Sequence, residues 1–172
     1  MHIPVTDQIS LTEFRPSDKS ICVERINDRD IYDRTLRIPH PYTEAHFNQW
    51  LGIVAEATEQ HGEPVHFAIR EGDSLIGSIG FDGLTKGHKA EIGYWLAKPW
   101  WGRGIMTALV GKVCEYAFAQ WNLVRITAQV FESNLASARV LETNGFEFEG
   151  LLRKHHLKDV RFLDSRLFAL VR

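Results

Sequence analysis

Glu91-Ile92-Gly93-Tyr94-Trp95-Leu96-Ala97-Lys98-Pro99-Trp100-Trp101-Gly102-Arg103-Gly104-Ile105-Met106 is the stretch whose reading decides the fold. Ala90 to Leu96 follows a turn at Lys86-Gly87-His88 and reads as a strand. Leu109, Val113, Tyr116, Ala117 and Gln120 mark one face of a long helix that starts near Trp101. A strand therefore runs into a turn with two glycines, and a helix begins at once. Two glycines let backbone N–H groups converge on one concavity. The positive end of the helix behind them favours an anion, so a phosphate or pyrophosphate can bind without any side chain. Gly-x-Gly by itself also describes an ordinary tight turn. The dinucleotide fingerprint is incomplete, because Thr107 stands where its third glycine belongs, and the Lys-Ser/Thr end of the Walker pattern is missing.

Working outward, Ile9 to Phe14 alternates apolar and polar as a half-buried strand does. Pro16-Ser17-Asp18 offers a helix start, and Ile21, Val23, Ile26 and Ile31 carry an irregular helical stripe towards Leu36, where Pro39 and Pro41 break it. Thr43 suits the N-cap of a helix ending near His61-Gly62. Val65 to Ile69 and Leu75 to Phe81 form a hairpin across Glu71-Gly72-Asp73. Val124 to Val130 is a β-branched strand. Asn134 to Thr143 is a helix closed by Asn144-Gly145, with Gly145 suited to a left-handed C-terminal position. Phe146 to Lys158 and Val160 to Val171 are closing strands. The order β-α-α-β-β-β-α-β-α-β-β implies α/β or α+β architecture: one domain over 1–172, with a mixed, mostly antiparallel sheet of about seven strands and about four helices.

Composition narrows the function. The chain has 172 residues, with 20 Lys plus Arg against 22 Asp plus Glu, a net charge of −2. That balance gives no field for gripping nucleic acid or an anionic membrane. Met1-His2-Ile3-Pro4-Val5 lacks the basic start and apolar core of a secretory signal. Cys22 and Cys114 read as reduced, buried thiols in a cytoplasmic protein. His40, His46 and His66 show no metal-ligand spacing, so no metal is expected.

Downstream stand Asn134-Leu135-Ala136-Ser137 and Asn144-Gly145-Phe146-Glu147-Phe148-Glu149-Gly150. With Glu-Ile-Gly-Tyr-Trp-Leu and Trp-Gly-Arg-Gly, in this order and spacing, the chain resembles the GNAT superfamily of acetyl-CoA-dependent N-acetyltransferases, and most of all its RimJ/RimL-type branch. The resemblance is closest over Glu91 to Arg153. It implies that backbone amides of Trp101, Gly102, Arg103, Gly104, Ile105 and Met106 hold the CoA pyrophosphate. It implies further that Trp95, Leu96 and Ala97 pair with the pantetheine arm, that Asn134 hydrogen-bonds that arm, and that Ser137 lies near the thiol. The family commonly has Gln or Arg three positions before the first glycine. Here that position is Pro99.

Moving acetyl from a thioester to an amine requires deprotonating the amine, stabilising the oxyanion and protonating the thiolate. A lysine amine costs about 4.6 kcal/mol to deprotonate at pH 7, an α-amine only about 1.4. The resemblance offers Glu91 as a base working through water and Ser137 as the acid. It also puts His156 where RimL-like sequences can carry a glutamate. The acidic Asp28, Asp30, Asp33 and Glu44 with Tyr32 occupy the part that shapes the acceptor slot, and would suit a cationic amine or form a solvated face. The expected activity is acetylation of a primary amine, foremost a protein N-terminal α-amine of the ribosomal-protein type. A polyamine or antibiotic amine is the alternative, as is an acyl-CoA-binding module without catalysis. A homodimer is compatible with these expectations.

Overall fold

The computed structural model describes residues 1–172. Its strands are β1 (His2–Pro4), β2 (Ile9–Thr12), β3 (His66–Glu71), β4 (Ser74–Thr85), β5 (Lys89–Leu96), β6 (Arg125–Phe131), β7 (Glu147–Lys158) and β8 (Arg161–Val171). Its α-helices are α1 (Lys19–Ile26), α2 (Arg29–Arg34), α3 (Glu44–His61), α4 (Ile105–Trp121) and α5 (Leu135–Thr143). The strands hydrogen-bond in the order β1-β2-β3-β4-β5-β6-β8-β7. The pairs β1–β2, β2–β3, β3–β4, β6–β8 and β7–β8 are antiparallel, and β5–β6 is parallel. The mixed, mostly antiparallel sheet expected from the sequence is present.

The sheet has eight strands where about seven are expected, the additional one being β1, which is short, largely exposed and ends in Pro4. There are five α-helices rather than four, because the irregular stripe from Ile21 to Ile31 is two helices. Asn27 ends α1 at ψ 57°, and its side chain donates to Val23 O and Tyr42 O while accepting from Tyr42 N. Asp28 then caps α2 by accepting from Asp30 N at 2.7 Å. The long helix begins at Ile105, since Lys98–Trp100 is a separate 3₁₀ turn. On α4 the stripe is Leu109, Val110, Val113, Cys114, Ala117, Phe118 and Trp121, while Gln120 is exposed.

Local chemistry explains the remaining boundaries. Thr43 caps α3 in a reciprocal box with His46, and Gly62 ends it at φ +74°. Asn134 caps α5. Gly145 sits at φ +81°, as its C-terminal role requires. Both cysteines are buried, and burial pushes each thiol up to about 12.

The chain divides into two compact units. One comprises Met1–Gly80 with Tyr94–Ile105, the other Phe81–Gly93 with Met106–Arg172. In the first, Cys22, Ile26, Ile31, Tyr42, Phe47, Ala68 and Leu75 form a buried cluster. Gly77 lies so close to the end of β5 that a Cβ would sit 2.4 Å from the Trp95 carbonyl oxygen, so only glycine fits there. In the second, Phe81 meets Trp121 edge to face at 5.2 Å, and Leu109, Val113, Ile126, Ala128 and Leu141 are buried.

The first unit is pinned by a buried ion pair. Arg70, fully buried, donates two bonds to the Asp18 carboxylate at 2.8 and 2.7 Å and one to Thr12 Oγ1 at 2.7 Å. Further donations go to the carbonyls of Asp73 and Glu13. Removing one partner strands the other as an uncompensated buried charge. Arg70→Ala is expected to lower unfolding free energy by about 3–5 kcal/mol, measured by urea denaturation.

Candidate active site

The glycine turn is built as its sequence suggests. Gly102 and Gly104 both adopt φ +72°, the left-handed region that glycine enters without penalty. A Cβ at either position meets nothing within 4 Å, so the requirement is conformational and the space around the turn is open. The turn runs into the first turn of α4, which carries no acidic residue. Its leading amides have no partner within the helix, and its positive end is uncompensated by side chains. This arrangement fits an anionic phosphate group.

The segment before the turn is held in place. Trp101 donates its indole N–H to Leu96 O at 2.6 Å, and Ala97 N donates to Ile76 O at 2.8 Å. Of the three residues expected to meet an extended ligand, two already spend a backbone group internally. Arg103 lies 3.6 Å from Glu71, whose other oxygen accepts Trp100 Nε1 at 3.1 Å.

The α1–α2 segment converges on the same residues. Lys98 Nζ lies 2.5 Å from Asp30 and 3.8 Å from Asp28. The Arg25 and Arg34 guanidinium groups lie over the rings of Trp100 and Trp101, at 4.6 and 5.2 Å from the ring centres. Lys98, then Arg34, hold the Asp30 carboxyl below the usual carboxylate range. Asp33 pairs with Arg29 and Glu44 with Lys19. Asp28, Asp30, Asp33 and Glu44 thus each pair with a neighbouring cation.

In the second unit, β5 pairs with β6 at Lys89, Ala90 and Glu91, the last opposite Thr127. Glu91 is half-buried, and its Oε2 accepts from Gln129 Nε2 at 3.1 Å. The remaining amide oxygen of Gln129 is buried without a hydrogen-bond partner, an arrangement that costs stability and needs a reason. His156 packs against Phe131 at 5.7 Å and His155 at 4.6 Å between ring centres. Burial, then the charge of His155, lowers its pKa and so favours the neutral ring.

Register shows that these groups share one face of the sheet. Glu91 is level with Thr127, and Gln129 and Phe131 follow at the period of two. Phe131 is opposite Ser165, and Leu163, two residues earlier on β8, is opposite His156. The β6 residues that Glu91 and His156 touch, Gln129 and Phe131, lie ~7 Å apart along the strand. Sequence reading found Glu91 and His156 but missed Gln129, which has no motif and becomes visible only through strand pairing. Asn134 Oδ1 accepts from Ser137 N at 3.2 Å, so its oxygen caps α5, and Ser137 lies half-buried on the first turn.

Residues 8–147 match the acetyltransferase (GNAT) domain family. The chain belongs to the GNAT acetyltransferase family. It is an enzyme of the N-acetyltransferase kind. It is 28% identical over 170 residues to the uncharacterized N-acetyltransferase p20 of Bacillus licheniformis, covering 97% of this chain and 94% of that one. It is 29% identical over 124 residues to the [ribosomal protein uS5]-alanine N-acetyltransferase of Escherichia coli, 70% of this chain and 63% of that enzyme. It spans 59% and 62% of the length of two other curated relatives. RimL, a ribosomal L7/L12 α-N-protein acetyltransferase solved with coenzyme A, shares the fold at TM-score 0.88 and 19% identity, covering 99% of this chain and 98% of RimL.

In this GNAT enzyme, Gly104→Asp adds both a side chain at φ +72° and a negative charge to the turn. Acetyl-CoA at a hundredfold excess over its dissociation constant is expected to stabilise the wild type by ~2.7 kcal/mol. Thermal melts with and without acetyl-CoA should show most of that shift lost in the variant.

Proposed function

We propose that residues 1–172 act as one acetyl-CoA-dependent N-acetyltransferase domain on a primary amine, foremost the α-amine of a protein N-terminus, in the cytoplasm. The observation that carries this reading is the open glycine turn at the start of α4, with both glycines at φ +72°. Bound acetyl-CoA supplies an activated thioester. The amides of Trp101 to Met106 hold its pyrophosphate, and Trp95, Leu96 and Ala97 guide the pantetheine arm. Because Leu96 O and Ala97 N are already engaged, that guidance uses the groups they leave over. The Asn134 amide nitrogen, which the helix cap does not use, donates to the same arm. Ser137 returns a proton to the departing thiolate.

Glu91, fixed by Gln129, takes the proton of the amine through a water molecule. His156 is the second candidate, since its lowered pKa keeps the imidazole able to accept a proton at pH 7. The α-amine acceptor is supported by the low cost of deprotonating it and by the uS5 alanine named for that relative. A polyamine fits less well, because Lys98, Arg34 and Arg29 already pair with the carboxylates of α2 and its cap.

Two experiments test this. Peptide N-termini, polyamines and aminoglycosides offered with acetyl-CoA, and read by mass spectrometry, should give acetylated peptide α-amines first. A strong preference for polyamines would overturn the assignment of the acceptor. Separately, Glu91→Gln should lower turnover by ~10²–10⁴-fold, more than His156→Gln does. If His156 is the base, the order reverses. Because burial and His155 lower its pKa, activity then falls with acid only below the ordinary imidazole value of ~6.5. Neither variant affecting the rate would mean that the amine arrives deprotonated and the enzyme acts by proximity.

A further inference from the structure

A surface helix ordinarily packs a full apolar stripe on the sheet beneath it, but α3, 18 residues long, does so only near its start. Phe47 is its one buried residue. Leu51, Val54, Ala55 and Thr58 follow on the same side at helical spacing, yet none of them is buried. They line one wall of a cavity of about 490 Å³. The other wall is Phe14, just past the end of β2, and His66, the first residue of β3. Trp50 meets both of these rings near edge-on, at 5.9 and 5.0 Å between ring centres. Gly80, opposite His66 on β4, leaves room for the imidazole, because a Cβ there would sit 2.3 Å from His66 Nδ1. Packing therefore fixes this wall before any ligand arrives. The space is of the size that small organic ligands occupy, ~300–1,000 Å³.

Charge selects the ligand. Glu13 and Glu59 line the cavity, and no Lys or Arg does. From Glu44 to Pro64 the chain has four glutamates and neither Lys nor Arg, although its overall balance is nearly neutral. Glu13 takes the Met1 ammonium at 3.5 Å, whereas Glu59 is exposed and carries no ion pair. A carboxylate beside an aromatic ring and an aliphatic wall suits a cation with a hydrocarbon body. β3 keeps this place apart from the glycine turn. His66 lies at its cavity end, and Glu71, which holds Trp100 and Arg103, lies at the other, ~17 Å away at ~3.4 Å per residue. We propose that this cavity is a second ligand site, separate from the glycine turn, for an organic ammonium ion with an apolar body. The hydrocarbon part lies between the α3 face and Phe14, and the charge lies towards Glu59. This site does not depend on which amine accepts the acetyl group.

Isothermal titration calorimetry with benzyltrimethylammonium tests this on the whole protein, since that probe has no N–H to acetylate. One ion should bind per chain, and its neutral near-isostere, dimethylbenzylcarbinol, should bind about fivefold more weakly or worse. Glu59→Lys, an exposed change on a helix, should weaken binding of the ion roughly tenfold, and Phe14→Leu about two- to fivefold, with circular dichroism confirming both folds. Saturating acetyl-CoA should leave the affinity unchanged. Should Phe14→Leu fail to fold, Glu59→Lys and the carbinol comparison decide. Absence of saturable binding at millimolar probe overturns the proposal. So do equal affinities for the ion and the carbinol, an affinity indifferent to Glu59→Lys, or displacement of the ion by acetyl-CoA.

Discussion

Two backbone dihedrals govern the turn that opens α4, where we propose that acetyl-CoA is held. With Gly102 and Gly104 both at φ +72°, the chain leaves β5, passes the 3₁₀ turn at Lys98–Trp100 and enters α4 without an acidic side chain in its first turn. Any other residue strains that path. The same path requires Gly77, because the end of β5 passes too near β4 for a Cβ. Three glycines, one in β4 and two in the turn before α4, thus serve a single route of the backbone.

The flank of that turn is also where the α1–α2 segment is fastened. Asp28 and Asp30 hold Lys98, while Arg25 and Arg34 cover Trp100 and Trp101. Each contact is modest at the surface. Together they join the α1–α2 segment to the residues next to the glycine turn. The acidic run, which in the sequence suits either a cationic substrate or a solvated face, has this internal use.

The Glu91–Gln129 pair shows a different kind of constraint. A carboxylate accepts and never donates, so Gln129 must turn its amide N–H₂ towards Glu91. Its oxygen is then buried without a donor. A folded protein tolerates such an orphan where it fixes something else, and here the fixed group is a candidate base.

Much was legible in advance because it depends on short-range chemistry. Thr43 and Gly62 bound α3, Asn134 and Gly145 bound α5, and Gly102 and Gly104 make the tight turn before α4, since caps and left-handed glycines act within a few residues. What the sequence hid depends on partners far along the chain. Asn27 breaks the first helical stripe because its side chain binds Tyr42, fifteen positions away. The pairing of Asp30 with Lys98, the meeting of Glu91 with Gln129, and the cavity beside α3 follow from register and packing. The sequence by itself therefore determined the elements, the family and the chemistry available. Only the tertiary structure decided which charges are spent on one another and which apolar side chains remain uncovered, because charge pairing and burial are properties of neighbours in space.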